Sequence, residues 1–254
     1  MSFVELLDRA SKKNNSLLCV GLDVDLNHLP PQFLKSDDPI FSFNKVIIDA
    51  TQGLVCAYKP NSAFYEMYGI YGLTSLIKTI EYIHETAKLP VILDAKRGDV
   101  GHSSAAYAKA AFEAFKADAV TVNPYMGHDS VKPFLDYQDK GVFILCLTSN
   151  AGSQDFAADL YKKVAAKAKE WNKSGNIGLV VGATKPEELK EIVKVSGEMP
   201  ILIPGVGAQG GDLKVAVQYG GKRPIINASR SIIYAADPKA EAQRLRDEIN
   251  QWRK

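Results

Sequence analysis

The feature that most constrains this chain is an eightfold recurrence of short apolar runs, rich in Val, Ile and Leu, spread along all 254 residues. The runs fall near 17–23, 54–59, 91–96, 119–123, 142–148, 177–181, 201–204 and 224–228. They are continuous rather than alternating, which marks strands covered on both faces, as in a parallel sheet. Helical patterns separate them at 43–52, 66–87, 103–116, 155–173, 186–195, 211–219 and 238–252. MSFVELLDRASKK reads as a short first helix. Eight β-then-α units with no Pro/Gly/Ser linker predict an α/β fold: a (β/α)8 TIM barrel forming one domain over 1–254. In the stretch 155–173, Phe156, Leu160, Val164, Ala168 and Trp171 make one apolar stripe, expected to pack into the core.

Charge excludes several function classes. With 31 Lys+Arg against 29 Asp+Glu, no basic field suits nucleic acid. No run approaches the roughly 20 apolar residues of a membrane span, and the N-terminus lacks the apolar centre of a signal peptide. Cys19, Cys56 and Cys146 each sit in an apolar run. They are expected as buried, reduced thiols, which fits a cytoplasmic protein.

Barrel enzymes carry their chemistry at the C-terminal ends of the strands. That rule singles out Asp23, Lys59, Asp94, Lys96, Asn123, Thr148, Ser149, Pro204 and the stretch 228–230. The sharpest cluster is Asp94-Ala-Lys96-Arg-Gly-Asp99. Asp94 and Lys96 are two apart in a strand and share a face. Lys59 ends the neighbouring strand, so two lysines and two acids can meet at one rim. Buried charges of this kind are costly unless paired. A salt-bridge network that only closes the barrel is the structural alternative. His102 makes a D-x-x-H pair with Asp99, but Lys96 and Arg97 alongside oppose a cation, and no metal is expected.

The run PGVGAQGG at 204–211 contains G-x-G-x-x-G. A nicotinamide site is one reading. Its late position, and Arg230 where an acid would be needed, favour a phosphate loop instead. Arg230 and the backbone N–H groups of Ser229 and Arg230 could hold phosphate oxygens.

CAYKP, LDAKRGDVGHS, GLDVD, NPYMG, PGVGAQGG and NASRSI together resemble the orotidine 5′-phosphate decarboxylase family along essentially the whole chain, especially its bacterial branch carrying DAKRGD. The resemblance implies cofactor-free conversion of OMP to UMP and CO2 in pyrimidine biosynthesis. It assigns catalysis to Lys59, Asp94, Lys96 and Asp99, with Lys96 protonating C6. Asp23 and Lys59 would hold the ribose hydroxyls, Ser149 and Pro204 would bracket the pyrimidine, and Gln209 and Arg230 would bind phosphate. It also implies a homodimer in which Asp99 and Ser103 complete the neighbouring site. Many family members have Gly before the Arg at 230, where this chain has Ser229. Three rivals remain at this stage. They are a Schiff-base aldolase using Lys96 or Lys59, which flanking acids disfavour, a Mg²⁺-dependent sugar-phosphate enzyme sharing D-x-K-x-x-D, and a non-catalytic phosphate-binding barrel.

Overall fold

The computed structural model describes residues 1–206 and 212–253. Its eight strands are β1 (Leu18–Gly21), β2 (Ala57–Lys59), β3 (Ile92–Arg97), β4 (Ala119–Val122), β5 (Gly141–Leu147), β6 (Ile177–Val181), β7 (Ile201–Pro204) and β8 (Pro224–Ala228). All pairings are parallel, in the order β2-β1-β8-β7-β6-β5-β4-β3. The two ends of this order meet. Tyr58 bridges Val91 and Asn61 bridges Asp94. The Tyr58 N–H donates to Pro90 O at 3.0 Å and the Asp94 N–H to Pro60 O at 2.9 Å. The sheet is therefore a closed barrel, and each predicted strand is present within a few residues.

The helices are α1 (Phe3–Asn14), α2 (Pro39–Thr51), α3 (Ala63–Glu66), α4 (Gly69–Tyr82), α5 (Gly101–Lys109), α6 (His128–Leu135), α7 (Ala157–Trp171), α8 (Pro186–Ser196), α9 (Leu213–Tyr219), α10 (Arg230–Ile233) and α11 (Pro238–Trp252). Local chemistry fixes their starts. The Ser2 hydroxyl accepts the Glu5 N–H and the Glu5 carboxylate accepts the Ser2 N–H, a reciprocal cap for α1. Asp38 and Asp237 cap α2 and α11, each followed by Pro at the first helical position.

Three differences from the sequence pattern have physical causes. α6 is eight residues long with Pro133 inside it, so its period is too short and too interrupted to read. The expected helix over 66–87 starts earlier as α3, restarts at Gly69 and ends in a widened π turn over 83–87. The stripe on α7 is only partly core. Ala168 is buried and Val164 and Trp171 pack against the core, whereas Phe156 is 66% exposed and Leu160 faces an open groove. Helical spacing sets which residues share a face, not how far along the helix that face stays covered.

Two apolar layers result. One lies between strands and helices. The other fills the barrel with Cys19, Ala57, Ile92, Ala119, Phe143, Val180, Leu202 and Ile225. Phe3 of α1 plugs the N-terminal end, edge-on to Phe143 at 5.6 Å between ring centroids. Gly141 makes this possible, because a Cβ there would lie 2.6 Å from the Phe3 ring. All three thiols are buried and free. No helix among the described residues is long and apolar enough to cross a membrane.

Candidate active site

With one end plugged, the rim at the strand C-termini is where polar side chains can gather. β3 brings the key pair. Its pairing to β4 jumps from Leu93↔Val120 to Arg97↔Val122, so four steps on β3 oppose two on β4. The surplus is a bulge spanning Asp94 to Lys96. Within it Lys96 has φ +48°, a left-handed conformation that costs an L-residue roughly 1–2 kcal/mol. The bulge aims the Lys96 ammonium back over the barrel mouth, where it donates to Asp94 Oδ1 at 2.7 Å. From β2, the Lys59 ammonium donates to Asp94 Oδ2 at 2.8 Å.

Thr121 of β4 completes this group. Its hydroxyl accepts the Lys96 backbone N–H at 2.9 Å and donates to Asp94 Oδ1 at 2.9 Å. Asp94 thus receives three side-chain donors. Burial by itself would push its carboxyl toward the neutral form. The ammoniums of Lys59 and Lys96 more than offset that and hold it well below the usual carboxylate range. Lys59 is only 3% exposed. Burial pulls its ammonium toward neutrality, but the carboxylates of Asp94 and Asp23 reverse the sign and raise its pKa above the ordinary lysine value.

Asp23 follows β1 on a segment braced by tyrosines. The Tyr65 hydroxyl donates to Leu22 O at 2.8 Å, the Asp25 N–H donates to the Tyr234 hydroxyl at 2.9 Å, and the Leu26 N–H donates to the Tyr68 hydroxyl at 2.9 Å. Tyr65, Tyr68 and Tyr234 therefore hold the loop that presents Asp23. One Asp23 oxygen, Oδ1, is buried with no hydrogen-bond partner among the described residues.

Across the mouth stand the ends of β7 and β8. Gly205 follows Pro204 at φ +91°. At β8, Ser229 precedes the short helix α10, and its hydroxyl donates to Gly21 O at 3.0 Å. A Cβ at Gly21 would lie 2.7 Å from Ser229 Cβ, so glycine on β1 makes room for the side chain on β8. Arg230 makes no ion pair with another described residue.

Asp23, Lys59, Asp94, Lys96, Ser149, Pro204 and Arg230 line one cleft of about 300 Å³. Asp99 and Ser103 do not. Asp99 lies between the end of β3 and α5, where it accepts the Val100 N–H at 2.7 Å, and Ser103 lies in the first turn of α5. Gln209, with Gly207 and Gly210 of the glycine-rich run, lies outside the described residues. Two polar groups escape a search confined to strand ends. Thr121 and Asn227 sit inside β4 and β8, two residues beyond the barrel-filling Ala119 and Ile225 and therefore inward-facing. Asn227 lines the cleft, its buried Oδ1 without a hydrogen-bond partner among the described residues. An inward polar residue in an otherwise aliphatic strand was the available signal. No group of three or more His, Cys, Asp and Glu among the described residues could hold a metal ion.

Known proteins are similar to this chain in sequence and fold. The family model described as orotidine 5′-phosphate decarboxylase / HUMPS matches residues 16–245. An orotidine 5′-phosphate decarboxylase of Ralstonia nicotianae is 48% identical over 272 aligned residues, covering 100% of both chains. The solved OMP decarboxylase of Leishmania donovani superposes with a TM-score of 0.89 at 42% identity, covering 99% of each chain. The UMP synthase of the same organism gives 0.90 at 43% identity, with 99% of this chain matching 56% of that one. On the extent of the family match and the identity to full-length relatives, the chain belongs to the orotidine 5′-phosphate decarboxylase / HUMPS family.

Proposed function

We infer that the chain catalyses the decarboxylation of orotidine 5′-phosphate to UMP and CO2, a carboxy-lyase step of pyrimidine biosynthesis, without a cofactor. The observation that carries this reading is the Lys59–Asp94–Lys96 array at the closed seam of the barrel, across one cleft from Arg230, which has no ion pair with another described residue. That spacing of functions suits a nucleotide whose base and phosphate lie at opposite ends.

Loss of CO2 from C6 leaves the bonding electron pair in the plane of the pyrimidine ring, where no neighbouring carbonyl takes it up. The reaction therefore needs a fixed positive charge beside C6 and a proton for it. Lys96 supplies both. Its ammonium stabilises charge as the C6–carboxylate bond breaks, then transfers a proton to C6, and solvent reprotonates the amine. Asp94, next to the carboxylate of the bound substrate, disfavours the ground state relative to the transition state. Lys59 and Asp23 hold the ribose hydroxyls, and the orphaned Asp23 oxygen is an acceptor in want of such a donor. Ser149 and Pro204 bracket the base, while Arg230, with Gln209, grips the phosphate. The acids around Lys59 favour its ammonium over the free amine, which argues against Schiff-base chemistry there.

The position of Asp99 and Ser103 outside their own cleft fits a homodimer in which each chain completes its neighbour's site. Val100, next to Asp99 and 46% exposed, is an apolar side chain that such a dimer would cover. A cytoplasmic location goes with three free thiols and this metabolic role.

The direct test is to incubate the purified chain with OMP in EDTA and quantify UMP. Stoichiometric UMP and CO2 supports the reading. A folded chain that leaves OMP intact, or that works only with added Mg²⁺ on a sugar phosphate, contradicts it. For the dimer, Lys96→Ala and Asp99→Ala chains, each inactive alone, should regain activity when their subunits are mixed.

A further inference from the structure

Thr121 stands out because it touches both members of the reacting pair and yet does not line the cleft. Its side chain is buried in β4, with the residue 1% exposed. It meets the bulge in β3 where the ladder bonds between the two strands are interrupted. A bulge of this kind leaves a backbone N–H without its partner, and a buried orphan is costly. Here the orphan would be the N–H of Lys96, and the Thr121 hydroxyl takes it at 2.9 Å. The hydroxyl has one proton to give, and it gives it to Asp94 Oδ1 at 2.9 Å. The direction of this relay is fixed by its ends. A backbone N–H only donates and an ionised carboxylate only accepts.

We propose that Thr121 is a positioning residue for the decarboxylation. Its hydroxyl holds the Lys96 backbone in the left-handed conformation and orients the Asp94 carboxylate, so that the ammonium of Lys96 stays aimed at C6. The inference rests on the decarboxylase reading of the cleft and adds a residue that touches neither base, ribose nor phosphate. Valine has nearly the same shape as threonine but can neither accept the Lys96 N–H nor donate to Asp94. Serine keeps both bonds and loses only a methyl group. The two substitutions separate the relay from simple packing.

The consequence concerns turnover more than binding. With the relay cut, Lys96 can relax toward ordinary backbone geometry and its ammonium drifts from C6. Misplacement of a reacting group by about 1 Å can cost on the order of 100-fold. The groups facing Asp94 are Lys59 from β2, Lys96 from β3 and Thr121 from β4, with Asp23 after β1 acting through Lys59. Losing one donor to the carboxylate raises its pKa, so the acid limb of the pH profile moves up.

The experiment compares wild type, Thr121→Val and Thr121→Ser on OMP, measuring kcat, KM and the pH dependence of kcat/KM. The expected result is a kcat for Thr121→Val lower by about 10- to 100-fold. Its KM should change far less, and its acid limb should shift upward. Thr121→Ser should recover most of kcat and the wild-type profile. Should Thr121→Val fold poorly, Thr121→Ser and Thr121→Ala at matched folded fraction make the same contrast. A Thr121→Val enzyme with wild-type kcat and an unshifted acid limb overturns the proposal. So does a Thr121→Ser enzyme as impaired as Thr121→Val, which would mean the methyl group matters rather than the hydroxyl. A wild type inactive on OMP removes the decarboxylase reading, and this inference with it, while loss confined to the variants bears on Thr121 alone.

Discussion

At the β2–β3 side of the cleft, Asp94 accepts hydrogen bonds from Lys59, Lys96 and Thr121. At the β8 side, among the described residues, Arg230 has no ion pair and the buried Asn227 amide oxygen has no hydrogen-bond partner. The first region is saturated in the free chain, and the second is left wanting a ligand. On the proposed function, the difference separates two jobs. Groups that must act on a developing charge are fixed beforehand, because reorganising them during the reaction would forfeit their effect. Groups that recognise a remote phosphate can wait, and the binding energy they release is then available to close loops and align the base.

The saturated side should break hardest when one partner is withdrawn. Asp94→Asn takes from the buried Lys59 ammonium its hydrogen-bonded anion, a loss of about 3–5 kcal/mol for a broken buried pair. For a chain of this size that lowers Tm by roughly 10 °C. The pH dependence carries a sign. Asp94 has a depressed pKa, so its contribution is full above the ordinary carboxylate range near 4 and is lost as pH falls toward its lowered folded value. The Tm gap between wild type and Asp94→Asn should hold steady near neutrality and narrow in acid. A gap that widens in acid would place the ion pair on the wrong side of the balance.

On the unsaturated side, Arg230→Ala should lower kcat/KM on OMP by about 100-fold, through loss of charge-assisted bonds to phosphate. The same substitution should hardly change turnover of orotidine, which has no phosphate to grip. Orotidine itself should react orders of magnitude more slowly than OMP with wild type. Equal losses on both substrates would assign Arg230 to structure and dissolve the contrast between the two sides.

The smallest effect concerns the join between the regions, where β1 meets β8. Gly21→Ala should cost about 1–3 kcal/mol through overpacking against Ser229. Adding Ser229→Gly should return most of that stability. Additive losses in thermal melts would show that the two residues do not share this space.

Most of the fold was legible because a buried parallel strand writes itself as a continuous apolar run. α6 was not, since eight residues interrupted by Pro133 carry little periodicity. At the site, Asp94 and Lys96 were legible from their i, i+2 spacing at a strand end. The bulge that gives Lys96 its left-handed backbone was not, because it depends on the register between β3 and β4. The same holds for Thr121, whose role needs a partner strand to define it. Ser229 was visible as a departure from glycine. Its compensation at Gly21 lies 208 residues away and shows only when β1 and β8 are side by side. Polar residues inside strands, such as Asn227, carry signal that a search of strand ends passes over.

The central claim is that a fixed ammonium at Lys96, held by its neighbours, does the chemistry without metal or cofactor. It is tested most directly by following the loss of ultraviolet absorbance as OMP becomes UMP, in EDTA, with wild type beside Lys96→Ala. The account predicts turnover by wild type and a fall in kcat of about 10⁴-fold or more in the variant, with the melting profile retained. Wild-type rates from a folded Lys96→Ala, or activity abolished by EDTA, would contradict it.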